Sequence, residues 1–189
     1  MINEEHKHGH HHEHNHDSGP HSAFSIPHSA FALNAAVITI SDKGSRGERI
    51  DTSGPALCGM LEQDGWAVIH TAIVPDEREE IMGQLIACAD ELGANLILTT
   101  GGTGFSMRDI TPEATMAVID RAVPGIPEAM RAASMQVTPL GMLCRAAAGL
   151  RNESLIINLP GSEKAARECL AAVLPVMKHA MKMIKGEGH

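Results

Sequence analysis

Apolar positions in this chain alternate between two rhythms from about residue 35 onward. Ala35–Ser41 (AAVITIS) is a short β-branched run ending in Asp-Lys-Gly, which predicts a buried strand feeding a polar, glycine-containing loop. Pro55 to Asp64 then places Leu57, Met60 and Leu61 on one helical face, with Gly65 just past the end. Trp66–Val74 predicts a second strand. Asp76 followed by Glu79 has the spacing of a capping box, and Ile81, Met82, Leu85, Ile86 and Ala89 form the stripe of the helix it would start. Asn95–Thr100 predicts a third strand. Thr111-Pro112-Glu113 reads as an N-cap, a proline at the first helical position and an acid near the positive helix end. A helix within PGIPEAMRAASM, a strand at Ser154–Pro160 and a helix capped by Ser162 complete the series. That last helix carries Ala166, Leu170, Val173, Met177, Met181 and Ile184 on one side, and Pro175 is expected to kink or divide it. Strands alternating with helices imply a three-layer α/β/α fold with a mostly parallel sheet.

The first 33 residues do not share these rhythms. They hold nine of the twelve histidines and too little apolar surface to offset their ordering entropy, so a His-rich disordered tail (1–33) precedes one domain (34–189). Hydrophobic content of 43% with only 2% aromatics predicts an aliphatic core with Met as filler. Formal charge is −8; Lys7 against Glu4, Glu5, Glu13 and Asp17 gives the tail −3 and leaves −5 on the domain. An acidic domain without a basic cluster argues against nucleic acid as partner. Cys58, Cys88, Cys144 and Cys169 are widely spaced, as in reduced cytosolic thiols, and no segment predicts a membrane span or signal peptide. A cytoplasmic location is the expectation.

In a parallel sheet, ligands bind outside the carboxyl ends of the strands. Four strand ends carry suggestive residues: Ser41-Asp42, VPDE at 74–77, TTGGTG at 99–104 and NLPGS at 158–162. All four should lie on one edge. GGTG has neither Walker A nor GxGxxG spacing, yet Gly101, Gly102, Thr103 and Gly104 could nest a phosphate or carboxylate, or simply make a tight turn. NLPGS, with Gly161 and Ser162 at a helix start, resembles a second anion-binding turn. An ionised Asp109 beside a phosphate site calls for a cation between them, and Asp76 on the same edge would supply a second carboxylate. Together they could hold Mg²⁺ through water or phosphate oxygens. Asp76 alone reads as an ordinary cap. Asp42 and Asp51 read as turn or cap residues, and Glu113 as a first-turn dipole partner. Arg131 and Arg145 are candidates for phosphate or for structural ion pairs; His70 reads as structural. In the tail, His8, His10 and His12 are candidate ligands for a transition metal.

TTGGTGFSMRDITPEAT, with ISD…DTSGP, VPDE, LCRAAAGL and LIINLPGS, resembles the molybdopterin adenylyltransferases of the MogA and gephyrin G-domain type, the MogA/MoaB family, from about Ala35 to Lys185. The resemblance implies the molybdopterin-binding three-layer fold, a homotrimer, and adenylylation of molybdopterin by Mg-ATP with release of pyrophosphate. It implies Asp76 and Asp109 as essential carboxylates, and Gly101–Gly104 with Gly161 and Ser162 at the pterin and phosphate site. Ser41, Asp51 and Glu113 complete the set of expected binding residues. Cys144 stands where members often carry Ser. A partner protein that inserts molybdenum is implied downstream. Two other readings stay open on the sequence: a catalytically silent pterin carrier, and a metal-handling protein acting through its tail.

Overall fold

A computed structural model describes residues 33–187; the His-rich segment, including His8, His10 and His12, lies outside the described residues. The four expected strands form β1 (Asn34–Ile40), β2 (Ala67–Val74), β3 (Leu96–Thr100) and β6 (Ser154–Leu159). Two short strands, β4 (Arg121–Ala122) and β5 (Ala148–Arg151), join them in one sheet of order β2-β1-β3-β6-β5-β4. Pairing is parallel from β2 through β6 and antiparallel across β6-β5 and β5-β4.

Side-chain alternation in the central strands feeds two separate cores. Ala35, Val37, Leu96, Leu98, Leu155 and Ile157 pack on one face against α2 (Ser53–Gln63), α5 (Gly125–Val137) and α6 (Glu163–Ile184). Ala36, Ile38, Ile97 and Ile156 pack on the other against α3 (Arg78–Ile86) and α4 (Thr111–Val118). Strands buried on both faces are therefore near-continuous in apolar residues, as the sequence pattern requires. A four-residue helix, α1 (Asp42–Ser45), follows β1. Among the described residues no helix is long and apolar enough to cross a membrane, and the four cysteines are free thiols.

Three expectations change. Asp76 does not cap α3: Glu77 precedes the helix, no side chain caps it, and the Asp76 carboxylate is engaged across the strands instead. Thr111 is the first residue inside α4 rather than its cap, because its N–H is drawn to the carbonyl of Gly102 (3.1 Å). Pro175 does not divide α6, which runs unbroken from Glu163 to Ile184. Antiparallel β4 and β5 are too short to show a period. The turn between β5 and β6 rests on Asn152, which adopts φ 49° and donates its N–H to Asp120 (2.8 Å).

Candidate active site at the carboxyl edge of the sheet

Because β1, β2, β3 and β6 run parallel, the segments after them converge on one edge. They enclose a cavity of about 380 Å³ lined by Ser41, Asp51, Asp76, Gly101, Gly102, Asp109, Gly161 and Ser162, together with Arg49 and Thr100. Eight of the expected site residues thus meet in one place.

Each is held for a local reason. The Ser41 hydroxyl accepts from Gly44 N–H (3.0 Å) and starts α1. Asp51 caps α2 with one oxygen, accepting from Ser53 and Gly54 N–H (3.0 and 3.1 Å), and its other oxygen accepts from the Thr39 hydroxyl (2.6 Å). The Ser162 hydroxyl accepts from Ala165 N–H (3.4 Å) and caps α6. Asp42 and Asp76 make a reciprocal pair: Asp42 N–H donates to Asp76 Oδ2 (2.8 Å), and Asp76 N–H donates to Asp42 Oδ1 (3.1 Å). This pair fastens the ends of β1 and β2 to each other.

The two turns are packed backbone to backbone. Gly101 has φ 108°, and a Cβ there would lie 2.2 Å from the carbonyl oxygen of Ile40. A Cβ on Gly161 would lie 3.2 Å from the Cα of Gly101. Ser53 donates its hydroxyl to Gly161 O (3.0 Å) and Thr100 to Pro160 O (2.7 Å), so the second turn is clamped from both sides. Asn158, fully buried in β6, donates to Thr99 and Thr115 (3.0 and 2.8 Å) and accepts from Ala147 N–H (3.1 Å). The sequence hinted at this role only through one amide in an apolar run.

Charge is distributed unequally. Arg108 donates to both oxygens of Asp42 (2.8 and 3.0 Å from one nitrogen) and to Glu77 (2.8 Å), and its hydrogen bonds hold the Asp42 carboxyl below its usual range. Burial pushes the Asp76 carboxyl up, and the negative charges of Asp42 and Asp109 add to that rise against Arg108 and the Asp42 N–H. A partly buried carboxylate with acidic neighbours in a polar cavity fits a hard divalent cation. Among the described residues no three His, Cys, Asp or Glu side chains converge as a closed metal site, so water or phosphate oxygens must complete any coordination by Asp76 and Asp109.

Thr103, Gly104 and Glu113 do not line this cavity. Thr103 is buried, and its hydroxyl faces the Cys144 thiol at 3.8 Å. Gly104 accepts from Arg145 Nε (2.7 Å) and backs onto Asp109, whose carboxylate oxygen would lie 3.0 Å from a Cβ there. Glu113 is paired with Arg145 and lines a neighbouring cavity that shares Asp109 with the first. Neither arginine considered for phosphate lines the cavity: Arg145 donates to Gly104 O, Asp109 O and Glu113, and Arg131 Nη1 donates to the carbonyls of Cys144 and Ala146 (both 3.3 Å). Arg49, which no sequence pattern singled out, lines the cavity and has no ion-pair partner among the described residues. No spacing rule distinguishes it within its polar loop. His70 Nε2 meets Gln84 Oε1 at 3.2 Å.

Comparison with known proteins places the chain in a family. Residues 36–179 match the MoCF_biosynth family, described as a probable molybdopterin binding domain. A molybdopterin adenylyltransferase of Helicobacter pylori J99 is 44% identical over 156 residues, covering 82% of this chain and 89% of its own. That of Escherichia coli K12 is 40% identical over 143 residues, covering 75% and 73%. The crystal structure of the molybdopterin biosynthesis enzyme MoaB from Thermus thermophilus superposes with a TM-score of 0.78 at 47% identity, covering 82% of this chain and 97% of that one. With its sheet order, its glycine turns and its paired strand ends in place, the chain belongs to the MogA/MoaB family of molybdopterin-binding proteins that includes the molybdopterin adenylyltransferases.

Proposed function

We infer that this chain is a molybdopterin adenylyltransferase of molybdenum cofactor biosynthesis, which transfers AMP from ATP to the terminal phosphate of molybdopterin and releases pyrophosphate. The observation that carries this reading is the meeting of Asp76 and Asp109 with two glycine turns in a single cavity. A phosphate oxygen of molybdopterin attacks the α-phosphorus of ATP. One P–O bond forms, the bond to the β-phosphate breaks, and the electron pair leaves with pyrophosphate. The attacking phosphate monoester is already ionised at neutral pH, so no strong general base is required. The task left to the protein is positional and electrostatic.

The glycines Gly101, Gly102 and Gly161 carry no side chain that would keep phosphates away, the Ser162 hydroxyl is turned to the start of α6, and Arg49 supplies a cation for the triphosphate. Asp76 and Asp109 would hold Mg²⁺, which when bound neutralises the triphosphate and the departing pyrophosphate. The Asp42–Arg108 pair keeps Asp76 in place from behind. The same reading carries a homotrimeric assembly, a cytoplasmic location and hand-over of product to a metal-inserting partner.

Purified protein mixed with molybdopterin and Mg-ATP should release pyrophosphate and form the adenylylated pterin. Asp109→Ala should lower turnover by roughly a hundredfold or more, the order expected when electrostatic stabilisation is removed. Tight pterin binding without pyrophosphate release by the unaltered protein would instead make it a carrier.

A further inference from the structure

Thr111 carries the one buried side-chain polar atom among the described residues that has no hydrogen-bond partner. The residue is fully buried at the start of α4. Other buried hydroxyls are all engaged: Thr39 with Asp51, Thr100 with Pro160 O, Ser154 with Ala94 O, and Thr99 and Thr115 with Asn158. Burying a donor without a partner is unfavourable, and folded proteins rarely tolerate it without a use. The backbone of Thr111 is fixed by the bond from its N–H to Gly102 O.

The surroundings of Gly102 show what this hydroxyl faces. Gly102 has φ 62°, and a Cβ built there would lie 2.3 Å from Thr111 Oγ1 and 3.2 Å from Asp76 Oδ1. Hydroxyl and carboxylate oxygen therefore both lie beside the one point that a side chain on Gly102 would occupy. Asp76 uses its other oxygen, Oδ2, to accept from Asp42 N–H. Oδ1 is the oxygen on the Thr111 side.

Resting on the metal-site reading given above, we propose that Thr111 is a positioning residue for Asp76: when a divalent cation is bound, its hydroxyl donates to Asp76 Oδ1 and fixes the carboxylate. The Asp42 amide then holds one oxygen and Thr111 the other. Gly102 is required because any side chain would separate the two groups. A hydroxyl held without a partner in the metal-free protein gains one on binding, so its contribution appears in cation affinity and not in the stability of the metal-free protein. Loss of such an outer partner of a metal ligand typically weakens the ion about ten- to a hundredfold.

The test uses the full chain with Mn²⁺ as the probe, titrated by electron paramagnetic resonance, alongside thermal melts without metal. Thr111→Val, which keeps the shape and removes the hydroxyl, should bind Mn²⁺ about tenfold or more weakly yet melt no lower than the unaltered protein. Thr111→Ser should restore the affinity. Equal Mn²⁺ affinity in Thr111→Val overturns the positioning role while leaving the metal site standing. A lower melting temperature for Thr111→Val without metal overturns it too, since the hydroxyl would then be structural. Failure of the unaltered protein to bind Mn²⁺ removes the metal-site reading and this inference together.

Discussion

Replacing Gly101 by Ala introduces one methyl group at the tightest point of the site. Its Cβ would stand 2.2 Å from the carbonyl oxygen of Ile40 and 3.2 Å from that carbonyl's carbon. Nothing there is a flexible side-chain end. Ile40 ends β1, paired with Val74 of β2, and the residue before it, Thr39, is paired with Thr100 of β3, so the carbonyl cannot swing away without disturbing the end of the sheet. Two costs add. Overpacking against fixed atoms costs about 1–3 kcal/mol, and forcing alanine to φ 108° costs about 1–3 kcal/mol more. The sum, about 2–6 kcal/mol, is a large share of the roughly 5–15 kcal/mol that stabilises an ordinary domain. At this chain length it corresponds to a melting temperature lower by about 5–20 °C. Gly59, inside α2 with nothing within 4 Å of an added methyl and no positive φ, is the internal contrast. There alanine should stabilise by about 0.5–1 kcal/mol through helix propensity. Urea unfolding followed by far-UV circular dichroism reads both variants on one scale. Finding Gly101→Ala within about 1 kcal/mol of the unaltered protein would refute the claim that this turn is locked against β1.

Two further substitutions test the distribution of charge. Asp76→Asn keeps an oxygen for the Asp42 amide and removes a carboxylate whose pKa burial raises. A raised folded pKa means that the charged form costs stability at neutral pH and that the cost fades as pH falls through that pKa. Asp76→Asn should therefore melt higher than the unaltered protein at pH 8 without metal, with the gain shrinking on acidification, while turnover is lost; a lower melting temperature at pH 8 contradicts the assignment. Arg49→Ala should weaken ATP binding by about tenfold or more, the worth of a charge-assisted hydrogen bond, and reduce its salt dependence. Unchanged affinity in calorimetric titration would remove Arg49 from the triphosphate site.

The parallel core was legible because β1, β3 and β6 are buried on both faces and so read as apolar runs between helical stripes. The common edge followed from parallel order alone, and it brought Ser41, Asp76, Gly101 and Gly161 together as expected. What the sequence could not convey was the partner of each polar group. Asp76 has the spacing of a capping box, but the nearby Asp42 amide, brought close only by β1-β2 pairing, takes its carboxylate. Arg145 and Glu113 are far apart in sequence and meet only after the chain has folded around α4. β5 carries Gly149 where a Cβ would lie 2.8 Å from the carbonyl oxygen of Arg121, a constraint with no local signature.

The fate of the arginines shows how the fold keeps its cavity open to anions. Arg108, Arg131 and Arg145 are each turned to carboxylates or backbone carbonyls, which leaves the cavity lined by three carboxylates, Asp51, Asp76 and Asp109, and one cation, Arg49. Arg108 is not among the residues that line the cavity. Its hold on Asp42 and Glu77 instead ties the loops after β1, β2 and β3 together from the outside. Asp76 is thereby left partly buried, with two acidic neighbours and a raised pKa. Arg108 and the Asp42 N–H offset only part of that rise, so a divalent cation arriving with a triphosphate, as the proposed reaction requires, would find a carboxylate whose charge is incompletely compensated.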